Sequence, residues 1–140
     1  MRRTLPSEPL RVLVVDDEIT VRVFAERALH SAGYDVVVAG DGPEALRLVD
    51  AQRRPFDLCV LDLLMPQMRG DELSRQLRQR DPDVKVLYFT GYSDRLFEDR
   101  TTLWEHEAFL EKPVTVAGLL EAMSLLLSGD TIGPRSGPAA

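Results

Sequence analysis

Carboxylate side chains follow two apolar runs of this sequence. Val12–Val15 ends in Asp16-Asp17-Glu18, and Leu58–Leu61 ends in Asp62. Apolar runs without alternation are typical of strands that are buried on both faces. Pro66 lacks an N–H and restricts the residue before it, so a helix does not start directly after the second run. We therefore expect Asp62 at the rim of a sheet, beside a loop, and not inside the core.

A hydroxyl and an amine follow two later apolar runs. Thr90 comes directly after the run at 84–89, and Lys112 comes shortly after Phe109 and Leu110. Parallel strands end at the same edge of a sheet, and ligands of open α/β sheets bind outside that edge. The sequence therefore predicts that this hydroxyl, this amine and the aspartates meet at one edge.

Together these side chains predict cation and phosphoryl chemistry. Three carboxylates at one edge repel each other unless a cation neutralises them, and Mg²⁺ binds through one or two carboxylates while it keeps several waters. Asp17 and Asp62 suit direct ligation, Asp16 suits ligation through water, and a backbone carbonyl at 63–65 completes the set. Lys112 and Thr90 suit an incoming phosphoryl group. An Asp carboxylate is a known phosphoryl acceptor, so Asp62 is the candidate nucleophile.

Turn signals and helical periodicity predict the elements that position these residues. Gly33 is placed to end the first helix in the left-handed conformation, and Pro43 is expected at the first position of the second. The expected strands are 12–15, 34–39, 57–61, 84–89 and 109–110. Helices are expected after 18, 43, 70 and 113, with a further helix somewhere within 94–104.

Five strands that alternate with five helices predict an α/β fold, a doubly wound parallel sheet with helices on both faces, because parallel neighbours need right-handed crossover connections. The folded domain is expected at 10–128. Residues 1–9 contain two prolines, and residues 129–140 are rich in Gly, Pro and Ser. These ends are predicted to be a disordered extension and a flexible tail.

Composition excludes several classes of function. The chain has 140 residues, 44% of them hydrophobic, which fits one globular domain. Its net charge of −6 argues against direct DNA binding. The lone Cys59 lies in an apolar run and predicts no disulfide. No apolar run approaches the roughly 20 residues that span a membrane, so we expect a cytoplasmic protein.

Several motifs together resemble those of bacterial two-component response-regulator receiver domains. They are Val12–Glu18, Asp62–Pro66 with Gly70, Thr90-Gly91 and Phe109–Pro113. Each motif is weak by itself, because an acidic loop is typical of a solvated helix start, but they occur in the right order on the right elements. The resemblance covers about 10–128 and implies the flavodoxin-like receiver fold, with strand order 2-1-3-4-5.

The resemblance also implies a role for each site residue. Asp62 is then the phosphoacceptor, Asp16 and Asp17 hold Mg²⁺ with Asp62, and Leu64 lends its backbone oxygen to the cation. Thr90 moves to meet the phosphoryl group while Lys112 pairs with it. Two further expectations concern the switch and the backbone: Phe109 turns inward as Thr90 shifts, and Lys112-Pro113 is a cis peptide.

The partners that the resemblance implies are proteins. The phosphoryl group is expected from a phosphohistidine of a sensor histidine kinase or histidine phosphotransfer protein. A downstream protein target is expected at the face formed by the fourth predicted helix, the fifth strand and the last helix. A stand-alone regulator and a receiver module cut from a hybrid kinase both fit, and pairing of two copies stays open.

Two other functions are compatible with parts of this sequence. A Mg²⁺-dependent phosphatase or phosphotransferase with an Asp nucleophile needs a second acid two residues later, where this chain has Leu64, so we expect no enzyme beyond slow self-dephosphorylation. A receiver that binds partners without phosphorylation is disfavoured by the complete set of site residues. Leu64 and Tyr92 are apolar or bulky where fast-dephosphorylating relatives carry polar residues, which predicts a slowly decaying phosphoryl state.

Overall fold

One parallel sheet organises the part of the chain that the structure, a computed structural model, describes, residues 9–91 and 107–128. The strand order is β2-β1-β3-β4-β5, which confirms the predicted doubly wound topology. The elements are β1 (Arg11–Val15), α1 (Ile19–Ser31), β2 (Asp35–Ala39), α2 (Gly42–Ala51), β3 (Leu58–Asp62), α3 (Gly70–Arg80), β4 (Lys85–Thr90), β5 (Glu107–Glu111) and α4 (Val116–Leu127).

Alternate residues of the central strands pack into two cores, one on each face of the sheet. Leu13 of β1 and Leu61 of β3 lie on the face that α2 and α3 cover. Val14 and Val60 lie on the opposite face, which α1 and α4 cover. Because both faces are covered, the strands need apolar side chains at every position, which explains their continuous apolar runs.

The helix ends follow local chemistry. The Asp41 side chain caps α2 by accepting a hydrogen bond from the Glu44 N–H at 2.8 Å. Pro43 is therefore the second residue of α2, because Gly42 follows the cap directly. The prediction that Pro43 is the first residue of this helix was wrong by one position. Gly33 has a φ of 99° just after α1, which confirms the predicted left-handed position.

Two strand ends differ from the prediction. Asp62 and Thr90 are the last residues of β3 and β4, and both are buried, with 4% and 0% exposure. The prediction that Asp62 lies at the rim and not inside was wrong, because the following loop folds back over the strand end. The Gly70 N–H donates to the Leu63 carbonyl at 2.7 Å, and a Cβ atom at residue 70 would clash with the Asp62 carbonyl oxygen.

The remaining differences concern element bounds. β5 begins two residues earlier than predicted and ends one residue later, at Glu111. The helix predicted within 94–104 and most of the two predicted chain ends lie outside the described residues. The described residues themselves contain four helices. Within the described residues, no helix has the length and apolar character to cross a membrane.

A buried carboxylate ties α3 to β4 and β5. Glu107, the first residue of β5, accepts a hydrogen bond from the Ser74 hydroxyl at 2.7 Å and one from the Tyr88 hydroxyl at 3.2 Å. Arg78 of α3 forms an ion pair with the same carboxylate oxygen. Because the Glu107 side chain is 1% exposed, its charge depends on these partners for compensation.

Substitution of Arg78 tests this network. Arg78→Met should lower the free energy of unfolding by about 3 kcal/mol, because it removes the ion pair of a buried carboxylate. Urea unfolding followed by circular dichroism measures the change.

Arg75→Met is the matched control on the same helix, because the pair of Arg75 with Glu72 is exposed. It should cost less than about 1 kcal/mol. Equal losses in the two variants would contradict a special role for the buried carboxylate.

Candidate metal centre

The structure brings three carboxylates together at the carboxyl ends of the strands. Asp16 and Asp17 follow β1, and Asp62 ends β3, which pairs directly with β1 through Val15 and Leu61. One ligand oxygen from each aspartate lies within 4.8 Å of the others. The predicted cluster is therefore present, and the parallel pairing of β1 with β3 is what places it.

Burial and charge act strongly on two of these carboxyl groups. Burial, and then the nearby charge of Asp16, raise the pKa of Asp62 from 3.8 to about 7. Burial also raises the pKa of Asp16, although the Glu18 N–H donates to its Oδ1 at 2.9 Å and so opposes the shift. Ionising both groups together is therefore unfavourable without additional positive charge.

Lys112 supplies part of that charge. Its Nζ lies 3.6 Å from Asp16 Oδ2, 3.6 Å from Asp62 Oδ1 and 3.8 Å from Glu18 Oε1. Burial alone would lower the pKa of Lys112, but the neighbouring carboxylates outweigh burial and raise it. The Lys112 N–H donates to the Thr90 carbonyl at 2.7 Å, and the Lys112-Pro113 peptide is cis, which confirms that prediction.

The donor set fits a hard divalent cation. Asp16 Oδ2 is buried and has no hydrogen-bond donor within the described residues. The charge of Lys112 is shared among the carboxylates of Asp16, Glu18 and Asp62. Carboxylate oxygens are the ligands that Mg²⁺ prefers, and two of these carboxylates suffice for it. The group Asp16, Asp17 and Asp62 is therefore a chemically suitable Mg²⁺ site.

Thr90 and Phe109 lie in different surroundings. The Thr90 hydroxyl, on the last residue of β4, is buried and has no hydrogen-bond partner among the residues described. The Phe109 ring stacks on Tyr88 with the centroids 5.1 Å apart, in the core beneath α2 and α3. The contact of Thr90 with a phosphoryl group and the switching role of Phe109 both stay predictions.

The loop after Asp62 carries the predicted carbonyl ligand. Leu64 is 37% exposed. Gln67 has a φ of 73°, a left-handed backbone conformation that residues other than glycine seldom adopt. The Met68 N–H closes this turn by donating to the Pro66 carbonyl at 2.7 Å. The turn fixes the backbone of this loop locally, and ligation by the Leu64 carbonyl stays a prediction.

Sequence reasoning missed Arg22. This residue lies in α1, and its Nη1 donates to the Asp16 backbone carbonyl at 2.6 Å. An arginine in the second turn of a helix that follows an acidic loop was the available signal. A single such arginine is ordinary on a helix surface, so spacing alone does not identify it.

Comparison with known proteins gives a consistent result. A family model described as the response regulator receiver domain matches residues 12–124. The chain is 36% identical over 116 residues to sensor kinase CckA of Brucella abortus, covering 83% of this chain and 12% of that protein. It is 39% identical over 134 residues to response regulator MprA of Mycolicibacterium vanbaalenii, covering 94% and 56%. The chain thus spans only part of the length of both relatives.

A solved structure shares the fold at similar identity. Response regulator TrrA of Thermotoga maritima, crystallised in complex with Mg²⁺ and BeF, superimposes with a TM-score of 0.73 and 30% identity. The match covers 84% of this chain and 98% of that one. The likeness therefore extends over almost the whole of the solved chain.

The raised pKa of Asp62 predicts a pH-dependent stability. The folded chain holds this proton up to a pH of about 7, whereas the unfolded chain releases it near 3.8, so stability falls as the pH rises between these values. Without divalent cations, Asp62→Asn should therefore raise the free energy of unfolding at about pH 8 by about 1 to 4 kcal/mol, since each pKa unit corresponds to about 1.4 kcal/mol. Urea unfolding measures the change.

The increase in the free energy of unfolding caused by Asp62→Asn should be smaller at about pH 5, where Asp62 is already protonated in the folded chain. Asp83→Asn, at an exposed loop position, is the control and should leave stability unchanged at both values. A gain for Asp62→Asn that is the same at both pH values would contradict the raised pKa.

Proposed function

The chain belongs to the response regulator receiver domain family of two-component systems, and on that basis we propose that it is a phosphorylation-controlled switch with Asp62 as its phosphoacceptor. The observation that carries this proposal is the placement of Asp62, buried at the end of β3 within a cluster of three carboxylates and 3.6 Å from Lys112. A merely structural acid would not need two acidic neighbours that raise its pKa.

Mg²⁺ is the proposed cofactor. Asp17 and Asp62 would hold it directly with the backbone oxygen of Leu64, and Asp16 would hold it through water. When bound, the cation neutralises the carboxylates and the charge on the phosphoryl oxygens. The buried Asp16 oxygen without a hydrogen bond supports this assignment, as does the Mg²⁺ and BeF complex of the related TrrA.

The proposed reaction is transfer from a phosphohistidine. A carboxylate oxygen of Asp62 forms a bond to phosphorus while the P–N bond breaks, and the electron pair of that bond stays on the imidazole. Lys112 Nζ pairs with a phosphoryl oxygen, and the Thr90 hydroxyl donates a hydrogen bond to another. Because Asp62 must be ionised to attack, the positive charge near it also prepares the nucleophile.

The switch follows from the same contacts. In the proposed phosphorylated state, Thr90 and Lys112 are drawn toward the phosphoryl group, and Phe109 moves inward as Thr90 shifts. The phosphoryl group then shifts the population of states that β5 and α4 present to a protein target. The fourth predicted helix, which would complete that face, lies outside the described residues.

The proposed donors are a sensor histidine kinase or a histidine phosphotransfer protein. Similarity to a part of sensor kinase CckA fits a module of a larger kinase, and similarity to response regulators fits a stand-alone regulator. We propose neither direct DNA binding nor hydrolase activity, because the net charge is −6 and Leu64 stands where such a hydrolase has its second acid. We propose that the protein acts in the cytoplasm.

Acetyl phosphate tests the phosphoacceptor. With Mg²⁺, the wild-type chain should gain about 80 Da, the mass of one phosphoryl group, in intact mass spectrometry. Asp62→Asn should gain nothing, because an amide oxygen is a poor nucleophile. Chelation of the cation should slow the reaction strongly.

Asp83→Asn serves as the control, since this aspartate is exposed and belongs to the loop before β4. It should be phosphorylated like the wild type. An unchanged mass in the wild type would support a receiver that binds partners without phosphorylation, and continuous release of inorganic phosphate at a high rate would support an enzyme.

The lifetime of the phosphoryl group provides a second test. We propose slow decay, because Leu64 cannot hydrogen-bond to an attacking water. Leu64→Asn should shorten the lifetime of the phosphorylated chain several-fold in a quenched time course. Val23→Asn, at an apolar position of similar exposure in α1, should leave it unchanged. Loss of phosphate from the wild type within seconds would contradict slow decay.

A further inference from the structure

We propose that Arg22 is a positioning residue for the cation, acting through the peptide that joins Asp16 to Asp17. This inference rests on the proposed function, because it assumes that these aspartates hold Mg²⁺. Arg22 would not contact the cation or the phosphoryl group. It would instead fix the direction in which the two carboxylates enter the cluster.

Three contacts hold Asp16 where β1 ends. Its N–H donates to the Ala39 carbonyl of β2 at 3.2 Å, and its Oδ1 accepts from the Glu18 N–H at 2.9 Å. The Asp16 carbonyl accepts from Arg22 Nη1 at 2.6 Å. This carbonyl belongs to the peptide whose N–H is that of Asp17, so the guanidinium determines how that peptide is oriented. Rotation of the peptide would turn the Asp17 carboxylate away from Asp62.

The chain leaves room for this guanidinium. A Cβ atom at Gly40, just after β2, would lie 3.3 Å from Arg22 Nη1 and 3.8 Å from Cζ. The Gly40 N–H donates to Glu44 Oε1 at 2.8 Å, which fixes this residue at the start of α2. The guanidinium therefore lies in a defined space between the ends of β1 and β2, which distinguishes it from an arginine free in solvent.

The charge of Arg22 and its hydrogen bond to Asp16 lead to opposite predictions for Mg²⁺ binding. A guanidinium bound to the Asp16 carbonyl repels a cation that binds nearby, so loss of its charge alone would tighten Mg²⁺ binding. Loss of its hydrogen bond to Asp16 would loosen the loop and weaken Mg²⁺ binding, because the carboxylates must then be ordered when the cation binds. The sign of the change therefore separates the two roles.

Calorimetric titration with Mg²⁺ measures that sign. Arg22→Met should raise the dissociation constant for Mg²⁺ about fivefold to tenfold, as expected for loss of one charge-assisted hydrogen bond. Arg22→Lys should recover part of the affinity, because an ammonium still donates to the carbonyl. Arg27→Met, which removes an exposed arginine from the same helix, should bind like the wild type.

Phosphorylation by acetyl phosphate gives a second readout. In Arg22→Met the Mg²⁺ concentration for half-maximal rate should rise, while the rate at saturating Mg²⁺ stays close to that of the wild type. A residue with only a structural role would lower the melting temperature without this separation of the two parameters.

The outcomes are distinguishable. Mg²⁺ binding by Arg22→Met that is equal to or tighter than that of the wild type would overturn the inference and leave the proposed function intact. Failure of the wild type to bind Mg²⁺ would overturn both. If Arg22→Met does not fold, Arg22→Ala takes its place, because alanine is a strong helix former and likewise lacks the guanidinium. This variant should also weaken Mg²⁺ binding, and unchanged or tighter binding would refute the positioning role.

Discussion

Mutual repulsion among buried carboxylates is the constraint on which the rest of the structure depends. Asp16 and Asp62 are nearly inaccessible to water, yet their oxygens lie within 4.8 Å of each other and of Asp17. Such a group is tolerated only where protons or cations compensate the charge. Lys112 provides one charge, and the pKa of Asp62 is raised despite it. The remaining charge can be compensated by a proton on Asp62 or by a further cation.

The sheet brings these carboxylates together, and its apolar packing offsets the electrostatic repulsion among them. Parallel pairing brings the ends of β1 and β3 side by side, and apolar side chains on both faces hold the pairing in register. Gly70 allows the loop after β3 to approach the Asp62 carbonyl closely. An acid that would be hydrated at an open rim is in this way withdrawn from water, and its chemistry depends on the few groups that face it.

Most of this arrangement could be predicted from sequence, for identifiable reasons. The strands were predictable because they are continuous apolar runs, and the site residues were predictable because each lies within two residues of the end of one. The burial of Asp62 was not predictable, since it depends on a backbone approach at Gly70, eight residues away. Arg22 and the partners of Glu107 were missed for the same reason: a single polar residue on a helix carries no local sign of the distant atom that it contacts. The roles predicted for Leu64 and Phe109 belong to the cation-bound and phosphorylated states of the chain.

The buried Glu107 has a mechanical consequence for β5. Its carboxylate fastens the start of this strand to α3 and β4 at once, through Arg78, Ser74 and Tyr88. The opposite end leads into Lys112, at the acidic cluster. At that end the Lys112 N–H donates to the Thr90 carbonyl, and β5 pairs with β4 along its whole length. One strand therefore connects two separate sites of buried negative charge, and it is fastened to its neighbours at both of them.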